Sequence, residues 1–248
     1  MSRINEAATL IPDYAPIMTV IASNLQAVRR DIERFAHAAQ RRPEEIALLA
    51  VSKTFPASAI REAHAGGQRA FGESYVQEAL GKMAELHDLA LEWHFIGPVQ
   101  SNKTRAIAEN FAWVHGVDRL KIAERLSDQR PPNLPPLNVC IQVNVSGEDT
   151  KSGVAPAGTC ELARQITTLP QLRLRGLMAI PAPAEGLAAQ RKPFAQLREL
   201  LQQLNIQALQ LDTLSMGMSH DLEAAILEDA TIVRVGTAIF GGRHYGEK

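Results

Sequence analysis

The sequence predicts an α/β chain closed into one eight-stranded (β/α)8 barrel of the TIM type, with an extra helix at the N-terminus. Three observations carry this. Short apolar runs alternate with stretches of helical apolar spacing along the chain, the pattern of a parallel sheet with helices outside. The runs number eight, and 248 residues match the ~250 that such a barrel takes. An open doubly wound sheet would more often use about five or six strands. No repeat, low-complexity stretch or linker interrupts the pattern, so one domain over 1–248 is expected, with 1–12 poorly ordered.

The elements follow in order. Residues 14–41 place Ile17, Val20, Ile21, Leu25, Val28, Ile32 and Phe35 at helical spacing, ending near Arg41-Arg42-Pro43. The run 46–51 is short and branched, as a buried strand requires. Further strands are expected at 69–71, 93–96, 113–115, 137–145, 174–180, 213–214 and 232–235. Helices are expected at 57–66, 74–88, 101–110, 119–129, 156–168, 187–205 and 219–228. The proline-rich stretch 131–136 reads as a rigid loop on the bottom of the barrel, with a docking motif for a proline-binding module as the weaker alternative.

Composition excludes several classes. Hydrophobic residues make up 46% and charged residues 21%, which argues against disorder, collagen-like repeats and coiled coil. Twenty-six basic and 27 acidic side chains leave no global basic field, so nucleic acid is not the default partner. Cys140 and Cys160 cannot build a disulfide framework and read as small hydrophobes in a reducing compartment. The first residues lack a basic stretch followed by an apolar core, and no apolar run approaches the ~20 residues that span a bilayer. A cytoplasmic protein without membrane contact is expected.

In such a barrel, chemistry gathers at the C-terminal ends of the strands. Lys53 follows the first run and should project into the mouth, where poor solvation lowers an ammonium pKa and makes a Schiff-base nucleophile. The plain alternative is a surface lysine at a strand end. The loops after strands seven and eight commonly hold phosphate in this fold. Ser215, Met216, Gly217 and Ser219 lie on one of them, Gly236 and Thr237 on the other. Gly236-Thr237 is expected as the main cradle and Ser219 as a cap of the following helix, although Asp221 in that turn would repel a dianion. Arg234 shares a strand face with Gly236 and is costly inside a barrel unless it meets a carboxylate or a ligand acceptor. Ordinary glycine turns and a buried ion pair are the corresponding alternatives. His94, Asn102 and Lys103 flank the third strand end, Glu73 and Asp118 could orient cations or cap helices, and Lys151 is a second mouth lysine. Met178, Met216 and Met218 read most simply as apolar lining. Lysine, cradle and arginine together suit a phosphorylated aldehyde.

Six blocks in order then carry a resemblance. They are Ala50-Val51-Ser52-Lys53-Thr54, the stretch from Phe71 to Glu78, Trp93–Gly97 with Gln100–Lys103, Lys151-Ser152-Gly153, Ser215–Asp221, and Val233–Gly241. At these residues the chain resembles the YggS/PROSC family of pyridoxal phosphate homeostasis proteins. The resemblance implies a barrel like the N-terminal domain of alanine racemase. It implies pyridoxal 5'-phosphate (PLP) held as an imine on Lys53, Arg234 beside the pyridine nitrogen, and phosphate held by the Ser215–Ser219 and Gly236-Thr237 loops. Ser74 stands where the family usually has asparagine, and it keeps a hydroxyl for a contact from the second strand.

Three functions compete at this point. The first is a PLP carrier or buffer that limits free PLP, passes it to PLP-dependent apo-enzymes by transimination and works as a monomer. An arginine cannot accept the ring proton, so carbanion chemistry would be weak. The second is a PLP-dependent amino-acid racemase, which needs a second base. Of Tyr14, Tyr75 and Tyr245, only Tyr75 is placed near the mouth. The barrel is expected to use the whole chain, which leaves no room for the β domain that supplies that base in alanine racemases. The third is a Schiff-base aldolase acting on a sugar phosphate.

Overall fold

The computed structural model describes residues 19–148 and 152–242. Positions 1–18, 149–151 and 243–248 lie outside the described residues, and with them the expected start of the first helix and Lys151, Tyr14 and Tyr245. Eight parallel strands close in sequence order, β1 to β8, with β8 returning to β1. They are β1 Ala47–Val51, β2 Ala70–Glu73, β3 Glu92–Phe95, β4 Trp113–Val117, β5 Leu137–Gln142, β6 Leu172–Met178, β7 Thr213–Ser215 and β8 Ile232–Val235. Every expected strand is present.

The helices surround them. The first, α1 Val20–Ala38, buries Leu25, Val28, Ile32 and Ala36, one stripe at helical spacing, and Thr19 caps it by accepting the Ala22 N–H at 3.2 Å. Each of the next seven helices follows a strand: α2 Ala57–Ala65, α3 Val76–Glu85, α4 Thr104–Asn110, α5 Leu120–Gln129, α6 Pro156–Thr167, α7 Leu187–Ile206 and α8 Leu222–Leu227. After β8 comes a four-residue turn of helix, α9 Thr237–Phe240, which the apolar pattern is too short to reveal. α1 packs on α2, α8 and α9, and Asn24 donates to the Ile239 carbonyl at 3.0 Å, so the extra helix covers the seam where β8 meets β1.

Two expected boundaries move for identifiable reasons. The run 137–145 leaves the sheet after Gln142: the Val143 N–H still reaches the Met178 carbonyl of β6, but beyond it the chain pairs with Val154, the Asn144 N–H reaching the Val154 carbonyl and the Val154 N–H the Gln142 carbonyl. The eighth helix starts at Leu222 rather than 219, since residues 219–221 form a turn closed by the Asp221 N–H on the Met218 carbonyl. The proline-rich loop lies before β5, as expected, and the buried Arg130 guanidinium staples it through the carbonyls of Pro135, Ala108 and Phe111.

Side chains alternate between two cores. Phe71, Phe95, Val114, Ile141 and Val233 face the helices in one continuous apolar cluster. Leu49, Trp113, Cys140, Met178 and Ile232 form a separate small cluster inside the barrel. The strand period of two then directs Ser215 and Arg234 to the inner face, and Lys53 lies in the turn that follows β1 at the same end of the barrel. No helix among the described residues is long and apolar enough to cross a membrane.

Candidate functional site

Lys53 sits two residues past the end of β1, half-buried, in the wall of a cavity of about 470 Å³. Ser74, Tyr75, Gly97, Gln100 and Lys103 line the same cavity. The backbone on both sides of Lys53 is fixed from beneath. The Lys82 ammonium donates to the Ser52 carbonyl at 2.8 Å, and the Thr54 N–H reaches Glu78 Oε1 at 2.5 Å. Lys82 also binds Glu73 Oε1 at 2.7 Å and Glu78 Oε1 at 2.5 Å, while the Ser52 hydroxyl donates to Glu73 Oε1 at 2.7 Å. Glu73 is wholly buried, and burial pushes its carboxyl above the usual carboxylate range against the pull of Lys82 and Ser52. Of the two roles expected for Glu73, the structure selects the orienting of a cation. A larger cavity, about 650 Å³, lies at the opposite ends of β1 and β2 against α1, away from every strand-end residue named above.

Arg234 is 4% exposed and has no carboxylate within ion-pair reach among the described residues, which removes the buried ion pair as its explanation. It binds neutral oxygens instead. Nη1 donates to the Ser215 carbonyl at 2.5 Å and to Ser215 Oγ at 2.8 Å, and Nη2 to the Ala179 carbonyl at 2.9 Å. Burial brings its pKa down to about 10, so the guanidinium keeps its charge at neutral pH. A guanidinium has five N–H donors. Three are engaged, and the Nε–H and one Nη2–H find no protein acceptor among the described residues.

The two loops beside Arg234 are shaped by glycines. Gly217 has φ +90°, and a Cβ there would stand 2.4 Å from that of Ala225. Gly236 lets the end of β8 close on β1: a Cβ would meet the Val51 carbonyl oxygen at 3.1 Å. Past it, the Thr237 and Ala238 N–H groups open α9, where a helix start leaves them without intrahelical acceptors. Phe240 of α9 stacks on Phe55 of the Lys53 loop, with ring centroids 5.1 Å apart. The Lys53 loop and α9 are therefore packed together through these rings.

The remaining expected residues divide. Ser215 is fully buried and bound to Arg234. The Met216 side chain packs in the outer core and its N–H is taken by the Ile232 carbonyl, so it shapes the strand end without facing the mouth. Ser219 does not cap α8; Asp221 holds the N-cap position, and its Oδ1 accepts the Met218 N–H at 2.6 Å. Engaged there and half-buried, the Asp221 carboxyl is pushed up by burial, against Arg234 and the Met218 N–H. Asn102 is exposed in a turn, while its neighbour Lys103 reaches the cavity and donates to Gln77 Oε1 at 3.1 Å. Asp118 pairs with Arg119 at 2.7 Å and does not cap α5. Sequence reasoning missed His115, wholly buried and bonded through Nδ1 to Ser215 Oγ at 2.7 Å; its alternation with Trp113 on one strand face was the available signal.

Comparison with known proteins follows this geometry. The model of the alanine racemase N-terminal domain matches residues 23–244. The pyridoxal phosphate homeostasis protein of Pseudomonas aeruginosa is 66% identical over 229 residues, covering 92% of this chain and 98% of that one. Its Escherichia coli namesake is 55% identical over 234 residues, covering 93% and 100%. The structure of PipY from Synechococcus elongatus with PLP bound superposes with a TM-score of 0.78 at 41% identity, over 89% of this chain and 100% of that one. An alanine racemase from Corynebacterium glutamicum shares the fold, with a TM-score of 0.67 at 19% identity over 93% of this chain and 63% of that one. The chain belongs to the pyridoxal phosphate homeostasis protein family, built on the alanine racemase N-terminal domain.

Proposed function

We propose that this chain binds PLP at the barrel mouth, keeps it in reversible custody on Lys53 and releases it to amines, the task its relatives are named for. The observation that carries the site is Arg234: a buried, charged guanidinium with no carboxylate in ion-pair reach and two N–H groups unspent among the described residues, on the inner barrel face beside a glycine-shaped loop and at the strand ends where Lys53 also lies. Those features fit the cofactor. Lys53 would be the covalent anchor, Arg234 would face the ring nitrogen, and the Gly236–Ala238 backbone with the Ser215–Ser219 loop would receive the phosphate. Ser74 adds a hydroxyl from the cavity wall.

Bound PLP supplies an aldehyde that condenses reversibly with amines and a ring whose electron demand depends on what its nitrogen meets. Arg234 can only donate, so beside that nitrogen it would favour the unprotonated ring, a weak electron sink. Racemisation would further need a second base on the opposite ring face. Tyr75 lines the cavity but is 56% exposed, with nothing to hold its hydroxyl in place among the described hydrogen bonds. The proposal therefore assigns holding and delivery rather than turnover, to apo-enzymes of PLP chemistry, by a cytoplasmic monomer. Two free thiols, Cys140 and Cys160, suit a reducing compartment.

Titrating the apo-protein with PLP and following its visible absorption tests this. A band distinct from free PLP is expected in the natural chain and not in Lys53→Ala. An unchanged band in Lys53→Ala would overturn the anchor, and steady racemisation of a common amino acid above that by free PLP would restore the racemase reading.

A further inference from the structure

A file of side chains crosses the barrel from Arg234 to the opposite face. Ser215 Oγ accepts from Arg234 Nη1 at 2.8 Å and lies 2.7 Å from His115 Nδ1. His115 Nε2 lies 2.9 Å from His94 Nδ1, and His94 Nε2 lies 2.7 Å from Glu92 Oε1. Glu92 opens β3 at the N-terminal end of the barrel, and its side chain is 52% exposed to solvent there. Between the two ends everything is buried: His94 is 3% exposed, and His115 and Ser215 are wholly enclosed.

The direction of this file is set by chemistry alone. A carboxylate only accepts, so His94 carries its proton on Nε2. Neutral His94 then accepts at Nδ1, His115 must donate from Nε2, and His115 Nδ1 accepts the Ser215 hydroxyl proton. Ser215 is left with its lone pairs toward Arg234, where a guanidinium needs an acceptor. Burial holds both imidazoles below the usual histidine range, which keeps them in the neutral forms this order requires. Every dipole therefore turns its negative end to Arg234 and its positive end to Glu92, stabilising a buried cation and a distant carboxylate together. The flanking groups are themselves paired. Trp113 stacks on His94 at 5.4 Å, Arg175 lies 4.8 Å over Trp113 from β6, and Arg175 is bound to Asp212 at 2.7 Å.

We propose that Glu92, His94 and His115 are positioning residues: through Ser215 they orient the Arg234 guanidinium from the far face of the barrel. The inference rests on the cofactor reading only where it extends to PLP affinity; the file itself belongs to the chain without cofactor. A reversed tautomer at His115 would aim its Nδ1–H at a hydroxyl that already receives Arg234, leaving the Ser215 proton to seek another acceptor. The guanidinium would then lose a well-oriented partner.

The test uses the apo-protein first. Nitrogen-15 NMR of the histidine rings should show His94 and His115 neutral and protonated on Nε2, with Arg234 guanidinium protons exchanging slowly. Glu92→Leu, at a half-exposed position, removes the terminal acceptor. It should mix the His115 tautomers, speed Arg234 proton exchange about tenfold and weaken PLP about five- to tenfold, the size of one hydrogen bond's net contribution. Glu92→Gln retains an acceptor oxygen and should restore all three. His115 found as the Nδ1–H tautomer or as a cation, or a Glu92→Leu protein with unchanged tautomers and exchange, would overturn the proposal. Natural protein that shows the tautomers and slow exchange but takes up no PLP would support the file and refute the cofactor reading instead.

Discussion

Replacing Lys82 with methionine perturbs the Lys53 loop without touching Lys53. The Lys82 side chain is 6% exposed, and its three ammonium protons are fully used, on Ser52 O, Glu73 Oε1 and Glu78 Oε1. Methionine fills a similar volume but donates nothing. It strands the Glu73 carboxylate, which has no exposed surface and whose Oε2 already lacks a partner among the described residues. Breaking a buried pair on one side costs about 3–5 kcal/mol. Part of that loss depends on pH. A stranded Glu73 holds its proton more tightly folded than unfolded, so the variant is most stable in acid and loses stability as pH rises from the ordinary carboxylate range through the raised folded value. Above that value the full cost is felt. Urea unfolding at a series of pH values measures it, and Lys82→Met with Glu73→Leu should recover most of the stability. A single variant that costs less than about 1 kcal/mol at neutral pH, or a double variant no more stable than the single one, would refute this account of the cluster. PLP affinity should fall in the single variant as well, since Ser52 and Thr54 on either side of Lys53 are held by the same groups.

Three further outcomes follow from the same geometry. Gly217→Ala combines a left-handed φ with a Cβ 2.4 Å from that of Ala225 and should destabilise by about 2 kcal/mol or more, whereas Gly147→Ala, at φ +66° with no atom within 4 Å, should cost less than about 1 kcal/mol; thermal unfolding compares the two. Arg234→Met should keep the barrel folded by circular dichroism yet weaken PLP at least tenfold, about the 1.4 kcal/mol that the loss of one charged hydrogen bond predicts. Phe55→Ala removes the ring stacked on Phe240 and should weaken PLP with little change in stability, because both rings are only half-buried.

Much of the fold was legible because the barrel writes one short apolar run per strand. Leu49, Trp113 and Ile232 face inward while Ala50, Val114 and Val233 face the helices; both faces are buried, so each strand reads as an unbroken apolar run and which residue faces inward is not visible as letters. The period of two, counted from Gly236, places Arg234 on an inner strand face, and Lys53 follows from its position just past the first strand. Where the reading missed, a local hydrogen bond was responsible. Asp221 takes the Met218 N–H and displaces Ser219 from the cap, and Val154 draws Asn144 away from the fifth strand. The sequence suggests Met216 as lining, yet the parity that turns Ser215 inward turns its neighbour outward. The His94–His115 file was hardest to see, because its members come from β3, β4 and β7, and only the closed barrel brings them into line.

The central claim is that one lysine at the end of β1 holds the cofactor. Mixing the protein with PLP, reducing with borohydride and mapping the labelled peptide by mass spectrometry tests it directly. The account predicts a single pyridoxyl group on Lys53, absent from Lys53→Ala. A label carried mainly by Lys103 or any other lysine, or none retained after reduction, would contradict it.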